Sequence, residues 1–93
     1  MRFSWDMKKA TANRQKYDVS FEEAQTVFAD VHALRIFDPD HSDEEDRFVL
    51  LGLSSVPRLL VVCHCYREND DLIRIISARK ATRSEREAYE KRK

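Results

Sequence analysis

The early part of the chain places its apolar residues at helical spacing, and most of the rest places them at strand spacing. Phe21, Ala24, Val27 and Phe28 share one face of a helix. Ser20 stands just before them and Glu23 three residues after it, a capping box in which the serine caps and the glutamate reaches back. This helix is expected to end near Asp30. Upstream, Phe3 and Trp5 alternate with Ser4 as a short strand, and Asp6 is placed to cap a helix from about Met7 to Tyr17. That helix is mostly polar: Lys8, Lys9, Asn13, Arg14 and Lys16 surround Met7, Ala10, Ala12 and Tyr17.

From residue 33 the period becomes extended. The segments 33–38 (ALRIFD), 47–53 (RFVLLGL), 58–67 (RLLVVCHCYR) and 71–79 (DLIRIISAR) are rich in the branched and aromatic residues that strands favour. Turn clusters SSVP (54–57) and ENDD (68–71) join the last three strands into a meander of two hairpins. An acidic connection, PDHSDEED, fills 39–46. TRSE (82–85) repeats the capping box and opens a helix to about Arg92. The order β-α-α-β-β-β-β-α describes one α+β domain over residues 1–93, with two helices packed on a mostly antiparallel sheet.

Charge changes this picture more than composition does. The chain is 42% apolar and 37% charged, with a formal net charge of zero. From Asp30 to Asp46, however, there are seven acids against one arginine, and from Arg74 to Lys93 eight bases against three acids. Such segregation implies an anionic ligand at the basic end, or a partner that complements both ends. The single glycine, Gly52, excludes a glycine-rich nucleotide cradle, and no nucleophile elbow is present. Residues 1–20 carry no long apolar run, and the longest in the chain, Leu59 to Cys63, is far too short for a bilayer. A cytoplasmic protein without a membrane role is expected. Cys63 and Cys65 fall on one strand face as free thiols, with His64 turned away from both, a poor arrangement for zinc.

The acidic connection lacks the glycine of a calcium loop and follows a strand, so it reads as a solvated loop. Otherwise His41 or a nearby carboxylate joins an active site, or the loop docks on a basic partner. His64 shares a face with Leu60, Val62 and Tyr66, as a core histidine would, although its ordinary pKa also suits proton transfer. Arg74 stands on a strand face with Leu72, Ile76 and Ala78, where a guanidinium must meet a carboxylate or an entering anion. Arg79 falls on the opposite face under strict alternation, unless a bulge brings the two together. The last helix shows Arg83, Arg86, Glu87 and Glu90 on one charged face and has little apolar surface of its own. Clustered arginines beside proton-bearing groups suit RNA cleavage. The 2′-OH is a built-in nucleophile, and arginine stabilises the crowded phosphorane without a metal. Tyr17, Tyr66 and Tyr89 offer rings for unpaired bases.

The blocks FSWDMKKATANRQKY, SFEEAQTVFAD, DPDHSDEEDRFVLLGLSS, LLVVCH and RIISARKATRSEREAYE resemble successive blocks of the BrnT toxins, from Phe3 to Glu90. The resemblance implies a RelE-like fold, metal-independent endoribonuclease activity without a cofactor, and neutralisation by a BrnA-type antitoxin. It also implies operator DNA bound only through the toxin–antitoxin complex. By the same resemblance Arg74 and Arg79 match the family's strand-to-helix arginines, His41 its loop histidine, and Glu87 and Tyr89 its C-terminal pair. The expected site is thus Arg74 and Arg79 on the scissile phosphate, with His41, His64, Glu87 and Tyr89 for proton transfer. Lys8, Lys9, Arg83 and Arg86 are expected on flanking phosphates. Tyr17-Asp18 departs from the His-Gly common in the family. Either catalysis is weakened, leaving a decayed toxin that acts as a protein-binding module, or the pair only ends a helix.

Overall fold

The structure, a computed structural model, describes residues 1–41 and 45–92, with His41 described by its backbone alone. Its elements are β1 (Arg2–Ser4), α1 (Met7–Tyr17), α2 (Phe21–Thr26, continued by the 3-10 turn Val27–Ala29), β2 (Leu34–Asp38), β3 (Arg47–Leu53), β4 (Leu59–Arg67), β5 (Leu72–Lys80) and α3 (Arg83–Arg92). A short 3-10 turn, Pro39–His41, follows β2. The five strands lie in the order β1-β5-β4-β3-β2. Only β1 and β5 run parallel; the other three pairs are antiparallel.

The caps act where local chemistry puts them. Asp6 accepts from the Lys9 N–H at 3.0 Å, and Asp18 ends α1 in the left-handed conformation (φ 58°) with its N–H on the Arg14 carbonyl. Ser20 caps α2 by accepting from the Glu23 N–H at 3.0 Å. The reciprocal half of that box is not made. Glu23 turns instead to the Ser54 hydroxyl (2.7 Å) and to Arg58 (Nε at 3.0 Å), an ion pair across 35 residues that outcompetes a local cap. At TRSE both halves form: Thr82 N–H donates to Glu85 at 2.8 Å and Glu85 N–H to Thr82 at 3.2 Å. The ENDD turn bends through three consecutive positive φ angles at Glu68, Asn69 and Asp70.

Strand alternation sends side chains to two separate cores. Val19, Phe21, Ala24 and Val27 pack on Leu50, Leu60, Val62, Ile73, Ile75 and Ala78 beneath α1 and α2. Leu51, Leu59 and Val61 point the other way and are covered by Tyr89 of α3. Asn13, read from sequence as part of a polar surface, is only 6% exposed. Its amide donates to the carbonyls of Val19 and Ala78, each at 2.9 Å, and accepts from Ala78 N–H at 3.1 Å. Because β1 pairs only with Leu72, Ile73 and Arg74, the rest of that β5 edge has no strand beside it, and one asparagine satisfies Ala78 in its place.

Gly52 marks a close approach between β3 and the turn leading into β2. A Cβ there would lie 2.9 Å from both Ala33 Cβ and Val27 Cγ1, so the turn leading into β2 can sit on β3 only over a bare backbone.

Candidate active site

The geometry starts from a β-bulge. Cys63 of β4 pairs with Ser77 of β5, but the next residue, His64, pairs with Ile75, leaving Ile76 unopposed. Arg74, opposite Cys65, and Arg79, opposite Val61, therefore project from the same face, the one away from α1 and α2. Strict alternation would have separated them. It would also have put Arg74 beside Ala78, which the bulge turns into the helix-covered core.

Arg79 lines a groove of about 280 Å³ together with Tyr17, Asp38, Arg47, Cys63 and Ser77. Its guanidinium is fixed by Glu85, which accepts from both terminal nitrogens at 2.8 and 2.9 Å, and it donates once to the Lys80 carbonyl at 3.3 Å. Arginine has five N–H donors, so two remain for an incoming oxyanion among the described residues. The fork from Arg79 holds the Glu85 carboxyl down to about 2, against the opposing effect of its partial burial. Arg74, half-buried, donates to Ser4 Oγ at 3.4 Å. Asp6 feels the charges of both Lys9 and Arg74, which ties the start of α1 to the Arg74 end of this face.

The remaining expected residues are distributed unevenly. Lys8 and Lys9 are exposed in the first turn of α1, and Arg83 and Arg86 are exposed on α3. Glu87 is exposed and pairs with Arg83 at 3.7 Å. It is Glu85, two residues earlier, that reaches Arg79. Tyr89 is 1% exposed, and its hydroxyl donates to Asp30 Oδ2 at 2.7 Å. Burial, then the Asp30 carboxylate, push its phenol up to about 12. Held there, Tyr89 anchors α3 and does not open to the groove. His64 is fully buried on the opposite face, its ring among Phe28, Phe48 and Tyr66. Its Nδ1–H donates to the Val62 carbonyl at 3.0 Å, and burial lowers its pKa, leaving a neutral core imidazole. The full thickness of the sheet separates it from the arginines. The side chain of His41 lies outside the described residues.

Arg47 and Glu85 were not foreseen as site residues; Tyr17, expected as a ring for unpaired bases, and Asp38, a carboxylate near His41, line the groove with Arg79. Two signals were present. Asp38 and Arg47 end adjacent antiparallel strands and so face each other in register, and a glutamate six residues after Arg79 lies across a strand-to-helix corner. Among the described residues no three His, Cys, Asp or Glu side chains converge as metal ligands.

The family model for the ribonuclease toxin BrnT of type II toxin–antitoxin systems matches residues 5–85. This chain belongs to the BrnT family. Its fold is similar to that of the Brucella abortus ribonuclease toxin BrnT, solved by crystallography, with a TM-score of 0.65. That match covers 89% of this chain and 99% of the Brucella toxin at 19% identity, so the likeness extends to the fold. No curated protein matches the chain by sequence. Membership of the BrnT family makes the chain a ribonuclease toxin in type, with an antitoxin as its protein partner. Among the described residues, no helix is long and apolar enough to cross a membrane.

Proposed function

We propose that this BrnT-family chain is a metal-independent endoribonuclease with a RelE-like fold, acting in the cytoplasm and neutralised by a BrnA-type antitoxin. In this reading it reaches operator DNA only through that complex. The observation that carries the reading is the bulge at Ile76, which brings Arg74 and Arg79 to one sheet face, where Arg79 lines an open groove. Arg79, oriented by Glu85, uses its two remaining N–H groups on the scissile phosphate, and Arg74 with Lys8 and Lys9 holds the flanking strand. Arg83 and Arg86 follow the backbone along α3.

A base removes the 2′-OH proton, the 2′-oxygen forms a bond to phosphorus, and the bond from phosphorus to the 5′-oxygen breaks. An acid returns a proton to that oxygen, leaving a 2′,3′-cyclic phosphate and a 5′-hydroxyl. Asp38 and Tyr17 line the groove beside Arg79 and are assigned here as base and acid. His64 and Tyr89 take no part in this scheme, being buried, and Glu87 serves α3 through Arg83.

The test is cleavage of single-stranded RNA by the purified chain in EDTA, with Arg79→Ala alongside and circular dichroism as the fold check. Removing a preformed oxyanion donor of this kind should slow cleavage by about a hundredfold or more. Cleavage by a folded Arg79→Ala at the parental rate would remove Arg79 from the mechanism. A second reading, a decayed toxin acting only as a protein-binding module, draws on the same fork, since Glu85 already occupies the side of Arg79 that binds carboxylate-shaped anions. A folded parent that leaves RNA intact would favour it.

A further inference from the structure

Among the described residues, no strand or helix covers the β2 edge of the sheet. β2 pairs only with β3, so alternate N–H and C=O groups of Leu34–Asp38 face outward. Natural edge strands are usually blunted by charge, proline or brevity. Here two large apolar residues stand in the middle of the edge: Ile36 is 56% exposed and Phe37 is 47% exposed. They point to opposite faces. Ile36 lies opposite Val49 on the groove side, and Phe37 lies opposite Phe48 on the helix side.

A helix or loop docked on one face would cover only one of the two. A strand added alongside β2 covers both, because its own side chains alternate in the same way.

The surroundings specify the charge of that strand. On the helix side, Phe37, Phe48 and Tyr66 form a run of rings with centroids 5.6 and 5.4 Å apart. Arg35 lies over Phe48 and Tyr66 at 5.1 and 5.5 Å, showing that these ring faces accept a guanidinium. The adjoining hollow, of about 620 Å³, is lined by Met1, Arg35, Phe48 and Tyr66 and carries Asp46 and Asp70, two exposed carboxylates with no ion-pair partner among the described residues. Asp38 at the end of β2 and Asp40 in the turn that follows add two further carboxyl groups at that end of the strand. The unpaired carboxylates of Asp46 and Asp70 disfavour RNA phosphate at this rim, and a second copy of the chain would bring its own Asp46 and Asp70 to the same edge. A cationic protein segment has the right sign.

We infer that β2 is the docking edge for the antitoxin, which adds an extended segment carrying apolar residues for Ile36 and Phe37 and basic residues for the Asp46–Asp70 rim. The inference rests on the antitoxin that family membership supplies, and is independent of whether the groove cleaves RNA.

The experiment is amide hydrogen exchange on the full chain, free and co-expressed with its antitoxin. Ile36→Glu and Phe37→Glu are measured beside the parent for antitoxin affinity and RNA cleavage. Protection of residues 34–38 on complex formation, with affinity falling at least about tenfold in either variant, is the expected result. The parent and both variants should cleave RNA alike, since neither position lines the groove, and circular dichroism checks that each variant is folded. A complex that forms without protecting 34–38 overturns the inference. So does protection already present in a dimeric free chain, or protection produced by RNA instead of antitoxin. Loss of RNA cleavage in the parent would count against the ribonuclease mechanism and leave the exchange result to be read by itself.

Discussion

At the scale of single residues, Asn13 and Glu85 support the site through bonds that the sequence pattern does not single out. Asn13 sits among lysines and arginines on a helix of weak amphipathic character, yet it is the side chain that closes the β5 edge one residue before Arg79. Its role depends on β1 being three residues long and leaving Ala78 without a strand partner. No local window contains that information. Replacing it with alanine strands the N–H and C=O of Ala78 and the carbonyl of Val19 in a dry interior. Asn13→Ala should cost about 2–3 kcal/mol, as buried unsatisfied groups do, and be read as a lower urea midpoint. A midpoint unchanged from the parent would mean that water reaches this edge. Arg79 shows the opposite case. Its importance was legible from chemistry, since an arginine at a strand end beside a basic helix needs a reason. What was not legible was Glu85, whose place in a capping box concealed its second bond.

At the scale of elements, caps and periods were readable because they are settled within four residues; the bulge was not, because packing on both sides of β5 decides it. Residues 71–79 alone allow Arg74 and Arg79 on the same face or on opposite faces. The register against β4 chooses the former. The last helix makes the same point. Its apolar surface is small, and the structure holds it by two fixings instead: Glu85 to Arg79 at its start and Tyr89 to Asp30 near its end. Tyr89→Phe keeps the ring but loses the hydroxyl bond, and should cost about 1 kcal/mol in a thermal melt. The phenol carries its own signature. Its pKa is raised from the ordinary 10.0 to about 12 in the fold. The neutral form is the one stabilised, so the contribution is complete below pH 10 and is lost as pH climbs toward 12. In an ultraviolet titration, one of the chain's three tyrosines should ionise late, and Tyr89→Phe should abolish that late step. A single early transition in the parent would show that the Asp30 bond does not persist in solution.

At the scale of the whole molecule, a formal charge of zero hides two opposed fields and a set of carboxylates tied into the fold. The basic half carries the arginine face, and among the described residues Asp38 and Asp40 stand at the end of β2. If both proposals hold, RNA and antitoxin meet separate surfaces of opposite sign. The carboxylates that brace the frame between them are all held below their ordinary range. Glu85 is held by Arg79, at about 2; Glu23 by Arg58 and Ser54; and Asp6 by the first N–H groups of α1. At Asp30, burial pulls upward but is outweighed by bonds from Leu53, His32 and Tyr89. A depressed carboxylate stabilises the fold above its unfolded pKa and loses that contribution as pH falls through the folded value. His64 adds in the same direction: burial lowers its pKa, so acid must charge it inside an aromatic core as pH drops below about 6.5. All five groups act with one sign. Thermal stability should therefore be level near neutrality, begin to fall below about pH 6.5, and fall more steeply below about 4.5. Glu85→Gln separates the local from the global contribution, because it removes one fixing of α3 and leaves the other carboxylates in place. Its melting temperature should lie below that of the parent at pH 7, and the gap should close as pH approaches 2, where the parent's own Glu85 becomes protonated. The exposure of the Arg79–Glu85 pair limits the neutral-pH difference to about 1 kcal/mol. A gap that stayed constant from pH 7 to 2 would show that Glu85 stabilises the fold as a neutral cap and not as the counter-charge of Arg79.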